Sequence, residues 1–463
     1  MNKKINIFVL DGVVLIFLLS NVYLGWRLVN YYRVVNDPHR YDNCVKSADL
    51  TNENETLLPV QCKMKTGYIN TEGKVVINMK WDHGLMFNET NLAIVNISDK
   101  WGLIDKWGVE KVQLEYEGIT YMGYNKYLFE DKNKSYLATY KENEFTLLEL
   151  PPYSYCGDYS ENENLAYCYR ENGIDYIDLN GTIVSSFDNI NENRTFPFDY
   201  YKGYAIIDHD DKYIVIDRNG EFVTEFDEIY KLNIRLHFEN SEAIPYKEQG
   251  MWGLFKYDGT ILTEPIFKDI KGFGNSHLAP FTKDDVNWGY IDDTGKVIFE
   301  PQYSSASMFD NGYAAVSNQN KKFGLIDTQG QVIIPFEYDY VRVIASKFIM
   351  YVKDSKTYTL DINSKELINI INNKDIIYQE VNEMGFSVID KDVKPWLEYG
   401  TYNLFLPNKG ILSTDFYVEH WGWVGETNGT KYYKVEIHDD NKHMIYKTII
   451  DENGNILWKP YNN

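Results

Sequence analysis

The chain has 463 residues, of which 44% are apolar and 16% are Phe, Trp or Tyr. That is ample material for a core and excludes global disorder. The net charge of -22 argues against nucleic acid as a partner, because phosphates need a cationic surface. It suits a self-repelling surface or a cationic partner.

In chain order, Met1-Asn2-Lys3-Lys4 forms a short tail before an apolar run from Ile5 to about Trp26. The stretch 5–28 predicts one transmembrane signal-anchor helix, since about 20 residues span the hydrocarbon layer. Asp11 lies toward its N-terminal end, where a carboxylate costs less than the ~2.5 to 3.5 kcal/mol of a central site. Tyr23 and Trp26 suit the far interface, with Arg27 and Arg33 beyond. A cleaved signal peptide and a buried helix of the soluble domain are the alternatives, and no small-residue cleavage pattern follows the run. Long C-terminal domains translocate largely regardless of flanking charge, so the remainder is expected outside the cytoplasm on a single-pass anchor. Residues 29–65 are polar and free of repeats, and read as a linker and cap.

From Thr66 onward a short phrase recurs. Its clearest copy is Trp288-Gly289-Tyr290-Ile291-Asp292, a turn closing on Gly295, then Val297-Ile298-Phe299-Glu300-Pro301. Other copies begin at Trp101-Gly102, Trp252-Gly253 and Phe323-Gly324, with turn glycines Gly108, Gly259 and Gly330. Most neighbouring copies lie roughly 35 to 39 residues apart, which is a structural period. Alternation in Trp288–Asp292 predicts a strand, Asp292 and Gly295 a tight turn, and the β-branched run after it a returning strand. An aromatic follows eight positions beyond the turn glycine (Trp81, Phe267, Tyr303, Tyr338), but two positions earlier in degenerate units at Phe187 and Phe226. Tyr313-Ala314-Ala315-Val316 predicts a further strand, so each unit holds three strands, or four if the stretch after Tyr303 also pairs. Units this small bury their aromatics only by stacking on neighbours. The Trp-Gly dipeptides are therefore expected to be structural glue.

The combined phrase resembles the WG-repeat family of bacterial envelope and secreted proteins. Units starting near Trp101, Trp252, Trp288 and Phe323 match best; the likeness covers 66–354 and fades over 355–463, which reads as degenerate repeats and a C-terminal cap. The resemblance implies architecture and no catalytic residue set. The expected fold is an all-β tandem array of small antiparallel sheets, open and twisted, because ten or so units exceed the usual 4 to 8 blades of one propeller; propeller-like rings are the alternative.

Chemistry is sparse. There is no phosphate loop, nucleophile elbow, metalloprotease helix or dinucleotide fingerprint. His438 and His443 form the nearest histidine pair, and a solvated hairpin loop explains them better than a metal. Asp105, Asp178, Asp217, Asp292, Asp327 and Asp451 each open a turn, where Asp serves the local backbone. None has calcium-loop spacing. No cofactor or metal site is expected. Of the four cysteines, Cys44 with Cys62 and Cys156 with Cys168 are candidates for disulfides, and free buried thiols are the alternative. The functional expectation is a non-catalytic, membrane-anchored envelope scaffold whose partner is a protein or a cell-wall polymer, not nucleic acid. An envelope glycoside hydrolase and a structural spacer are the competing classes.

Overall fold

The computed structural model of the chain describes residues 42–160, 163–188, 195–209, 212–230, 241–273, 276–344, 348–371, 386–389, 402–406, 410–411, 416–427, 430–439, 444–451 and 455–459. The predicted anchor at 5–28 lies outside them. Among the described residues no helix is long and apolar enough to cross a membrane. The protein is all-β there, apart from one 3-10 turn at Asp42–Cys44. Among the described residues the strands form ten small antiparallel sheets, none closed on itself.

In chain order the sheets cover Leu57–Trp81, His83–Tyr116, Gly118–Leu150, Tyr155–Asp188, Thr195–Phe226, Glu228–Phe267, Asp269–Tyr303, Ser305–Tyr338, Tyr340–Ile371 and Phe386–Trp458. They are called the first to the tenth. The first has three strands, the tenth seven, and each of the others four. In the seventh the strands are Asp269–Ile270, Leu278–Thr282, Trp288–Asp292 and Val297–Tyr303, each paired with the next. The stretch after Tyr303 does pair, but in the following sheet, where Ser305–Ala306 lies against Tyr313–Ser317. One copy of the sequence phrase thus supplies the last two strands of one sheet and the first two of the next. The backbone is shared between neighbours, so no copy is a free-standing unit.

The glycine of each Trp-Gly dipeptide has a specific cause. Trp288 pairs with Tyr303 and Tyr290 with Phe299, so two steps on one strand face four on the other. The extra pair of residues arches over Gly289. A Cβ there would stand 2.3 Å from Phe299 O and 2.8 Å from the nitrogen of Pro301. The same arch faces Gly253 between the pairs Trp252–Phe267 and Leu254–Thr263, and Gly324 between Phe323–Tyr338 and Leu325–Ile334. Proline is tolerated in this arch because a bulge interrupts the ladder. The fourth and fifth sheets carry Asp175 and Ile214 where the glycine would be, and their strands pair without the arch. Their closing aromatics, Phe187 and Phe226, consequently fall two residues sooner.

Burial distinguishes the residues of the Trp-Gly phrase. The indoles are not the deepest side chains: Trp101, Trp288 and the equivalent Phe323 are half-buried, and Trp252 alone of these is buried. The third and fourth residues of the phrase form the interior, with Leu254, Phe255, Tyr290, Ile291, Leu325 and Ile326 all fully enclosed. The aromatic opens its strand at the margin, where it faces the aromatic that closes the arch.

Successive sheets are tied by repeated contacts. Tyr290 donates its hydroxyl to Ser307 O at 2.8 Å, Tyr68 to Leu85 O at 2.9 Å and Tyr176 to Phe198 O at 2.9 Å, each reaching the loop or short strand that follows its own sheet. Lys271 donates to Ala306 O at 2.6 Å with its ammonium 4.6 Å from the Trp288 ring centroid, and burial lowers its pKa. Each turn glycine rests on the preceding sheet's last strand: Gly259 faces Val223, Gly295 faces Thr263 and Gly330 faces Phe299. Their φ values of +81, +88 and +79° are the left-handed conformation that glycine adopts without strain.

The chain divides into two compact units, one of residues 1–97, 104–109 and 385–463, the other of 98–103 and 110–384. In the first unit the first and tenth sheets pack together. Leu58, Ile69, Val75, Tyr432, Ile449 and Trp458 share one core. Gly73 rests on Leu457 of the tenth sheet's last strand, the same relation that internal turn glycines have to the sheet before them. Trp458 Nε1 donates to Asn43 O and Asn43 Nδ2 to Lys459 O, both at 3.1 Å. The Cys44–Cys62 disulfide fastens the 3-10 turn to Leu57–Cys62, a strand inside the stretch read from sequence as linker and cap. The third to ninth sheets belong to the second unit.

Candidate interaction surface

The residues singled out in the sequence occupy structural positions. Trp101, Trp252, Trp288 and Phe323 lie at or next to the start of the third strands of their sheets, and Gly102, Gly253, Gly289 and Gly324 lie under the backbone of the neighbouring strand. Gly108, Gly259, Gly295 and Gly330 occupy the turns with positive φ. The turn aspartates are committed to the backbone. Asp292 Oδ1 accepts from Thr294 N at 3.0 Å and Lys296 N at 2.9 Å; Asp327 Oδ1 accepts from Gln329 N and Gln331 N at 3.0 and 2.8 Å. Asp105, Asp178 and Asp217 repeat the pattern. Among the described residues no group of three His, Cys, Asp or Glu is arranged to hold a metal. His438 lies in the strand Thr430–Asp439, and His443 is outside the described residues.

Two polar groups inside the second unit stand out. Asp175 is buried and accepts from Tyr153 Oη at 2.9 Å, Arg170 Nε at 3.0 Å and Ser186 Oγ at 2.7 Å. It lies directly across the ladder from Cys168, which is disulfide-bonded to Cys156. This satisfied network takes the place of a Trp-Gly glycine and holds its strand in regular register. Glu130 differs. Its carboxylate covers Gly118, and burial, reinforced by the charge of Glu117, pushes its pKa up to about 7.

The surface feature that recurs is apolar. Two residues after the turn glycine, at the start of the last strand, stand Ile183, Phe222, Ile261 and Val332, exposed by 44, 62, 42 and 54%. Leu367 holds the same ladder position in the ninth sheet, paired with Leu360, and is 53% exposed. Val297, the seventh sheet's member, is half-buried, but Ile298 beside it is exposed. Scattered exposed apolar residues are ordinary. An exposed apolar residue at one register position in five of six sheets is not scatter. From sequence the run after the turn reads only as a returning strand rich in β-branched and aromatic residues. These residues lie on the last strand of each sheet, an edge that the sequence pattern does not mark.

The family model described as the WG containing repeat matches residues 67–101, 252–286, 288–322 and 323–356. The chain carries WG repeats. The stretch opening at Trp101 is not among the matches, whereas the one opening at Gly67 is; Gly67 lies under the same kind of arch, its Cβ position 2.6 Å from Ile77 O. No curated protein sequence matches the chain. Solved structures similar to it include BamB from Moraxella catarrhalis, with 12% identity, 61% of this chain and 96% of that one covered, and a TM-score of 0.26. Kluyveromyces lactis Hsv2p is 9% identical over 56% of this chain and 98% of that one, with a TM-score of 0.26. Apo AztD from Citrobacter koseri is 14% identical over 69% and 95%, with a TM-score of 0.28. Likeness at this level leaves the function of the WG-repeat chain to be argued from its own residues.

Proposed function

We propose that the chain is a non-catalytic binding scaffold of the cell envelope, tethered to a membrane by segment 5–28, with its repeats outside the cytoplasm and its ligand a protein or a cell-wall polymer. The observation that carries this is the exposed apolar side chain repeated at one register position, from Ile183 to Leu367, in five of the six sheets from the fourth to the ninth. A repeat array offers the same contact many times over, which suits a long ligand. The turn aspartates, the most regular carboxylates in the sequence, already accept backbone amides, which favours a structural duty for them over an enzymatic one.

The test is a pull-down from detergent-solubilised cells, comparing the full chain with a variant carrying Ile183→Ser, Phe222→Ser, Ile261→Ser and Val332→Ser. The scaffold captures envelope material that the folded quadruple variant loses. Equal capture by both proteins, or capture of nothing by either, contradicts the proposal.

A further inference from the structure

We infer that the last strands of the fourth to eighth sheets form a docking surface for an extended polypeptide segment that is both basic and apolar. This rests on the scaffold reading above and names its partner. The first observation is the apolar row just described. The second is charge. The five last strands, Ile183–Asp188, Phe222–Phe226, Ile261–Phe267, Val297–Tyr303 and Val332–Tyr338, contain one carboxylate each and no Lys or Arg. All five carboxylates are exposed. Edge strands are commonly protected by lysine; here that charge is absent and its opposite recurs.

The two patterns alternate along the surface. In the sixth sheet Glu264 stands between exposed Ile261 and Ile266, and in the seventh Glu300 follows exposed Ile298. Three of the five carboxylates already face a cation: Arg170 at Asp188, Lys212 3.7 Å from Glu225 and Lys353 4.0 Å from Glu337. Those cations come from other strands. Glu264 and Glu300 make no ion pair among the described residues. A partner with cations interleaved among apolar side chains complements such a surface, whereas a neutral polymer leaves Glu264 and Glu300 unanswered.

The backbone sets the partner's direction. Pro265, Pro301 and Pro335 interrupt the last strands of the sixth, seventh and eighth sheets, so those three offer no unbroken row of ladder donors for an added strand. The segment therefore crosses the sheets and is held by side chains. Packed sheets lie about 10 Å apart, so five cover about 40 Å, which an extended chain at about 3.3 Å per residue spans with about a dozen residues. One sheet is then passed about every third residue.

The probe is a synthetic peptide of four Lys-Val-Ser triplets, titrated by fluorescence anisotropy against the purified full chain. Its controls are the same peptide with Lys replaced by Glu, and one with Val replaced by Ser. The first peptide binds, the Glu peptide does not, and the Val-less peptide binds about tenfold more weakly. Glu264→Lys with Glu300→Lys weakens the first peptide about tenfold, and Glu264→Gln with Glu300→Gln weakens it less, each with the circular dichroism of the native chain. Undiminished binding to the Lys double variant overturns the inference. So does equal binding of the Val-less peptide, which would reduce the effect to general attraction of a polycation by an acidic chain. If the quadruple serine variant loses envelope capture while the Lys-Val-Ser peptide never binds, the scaffold stands and this partner is wrong.

Discussion

Gly289→Ala is the sharpest perturbation of the repeat. The added methyl would stand 2.3 Å from Phe299 O and 2.8 Å from Pro301 N, and both obstacles are backbone, so no rotamer change relieves the clash. Overpacking of this kind costs about 1 to 3 kcal/mol when side chains yield, and more when the backbone must move. A loss of about 3 kcal/mol is expected. Gly312→Ala is the control: its φ is +80° and nothing lies within 4 Å of the new methyl, so only the left-handed strain of about 1 to 2 kcal/mol applies. The decisive variant combines Gly289→Ala with deletion of Glu300 and Pro301, the residues that arch over the glycine. It converts the seventh sheet to the register of the fourth and fifth, and recovers most of the loss. The assay is urea denaturation with hydrogen exchange resolved over Trp288–Tyr303. If Gly289→Ala costs no more than Gly312→Ala, or if the deletion worsens it, the arch does not explain the Trp-Gly signature.

Other consequences are independent of that one. Glu130 has a folded pKa of about 7 against an ordinary 4.5, so the folded state holds its proton more tightly and stability falls as pH rises from about 4.5 through about 7. Glu130→Gln should raise the Tm at pH 8 and leave it unchanged at pH 4; an equal effect at both pH values contradicts the assignment. Tyr290→Phe should cost about 1 kcal/mol in denaturant titrations, because Ser307 O loses its donor while the ring's packing against Phe309 survives. Removing Cys44–Cys62, which closes a sequence separation of 18, should cost about 3 kcal/mol and raise exchange in Ile456–Trp458, since the turn that holds Trp458 is freed. A chelator should leave the Tm unchanged, because Asp292 and Asp327 use Oδ1 on turn amides, whereas Asp292→Ala should lower stability by about 1 to 2 kcal/mol.

Much of this architecture is legible in the sequence for a physical reason. Strands of period two, turn aspartates and left-handed glycines are local, and each announces itself within a few residues. Even the arch leaves a trace: the closing aromatic stands eight residues past Gly259 and Gly295 but six past Gly181 and Gly220. What that difference of two means depends on which residues face each other across the ladder, and pairing is not local. The same limit hides the sheet boundary after Tyr303 and the burial of Tyr290 rather than Trp288. It also hides the surface. Phe222 and Val332 are apolar strand formers, yet they are 62 and 54% exposed. The contact of Gly73 with Leu457 joins positions far apart in the chain, where no repeat spacing could point to it.

Hydrogen exchange on the full chain, with and without the envelope ligand recovered in the pull-down, tests the binding account most directly. Protection is predicted on the last strands of the fourth to eighth sheets, from Ile183–Asp188 to Val332–Tyr338, rising and falling with the repeat period. Protection confined to the turn aspartates or to a single cleft, with those strands exchanging as in the free protein, would contradict it.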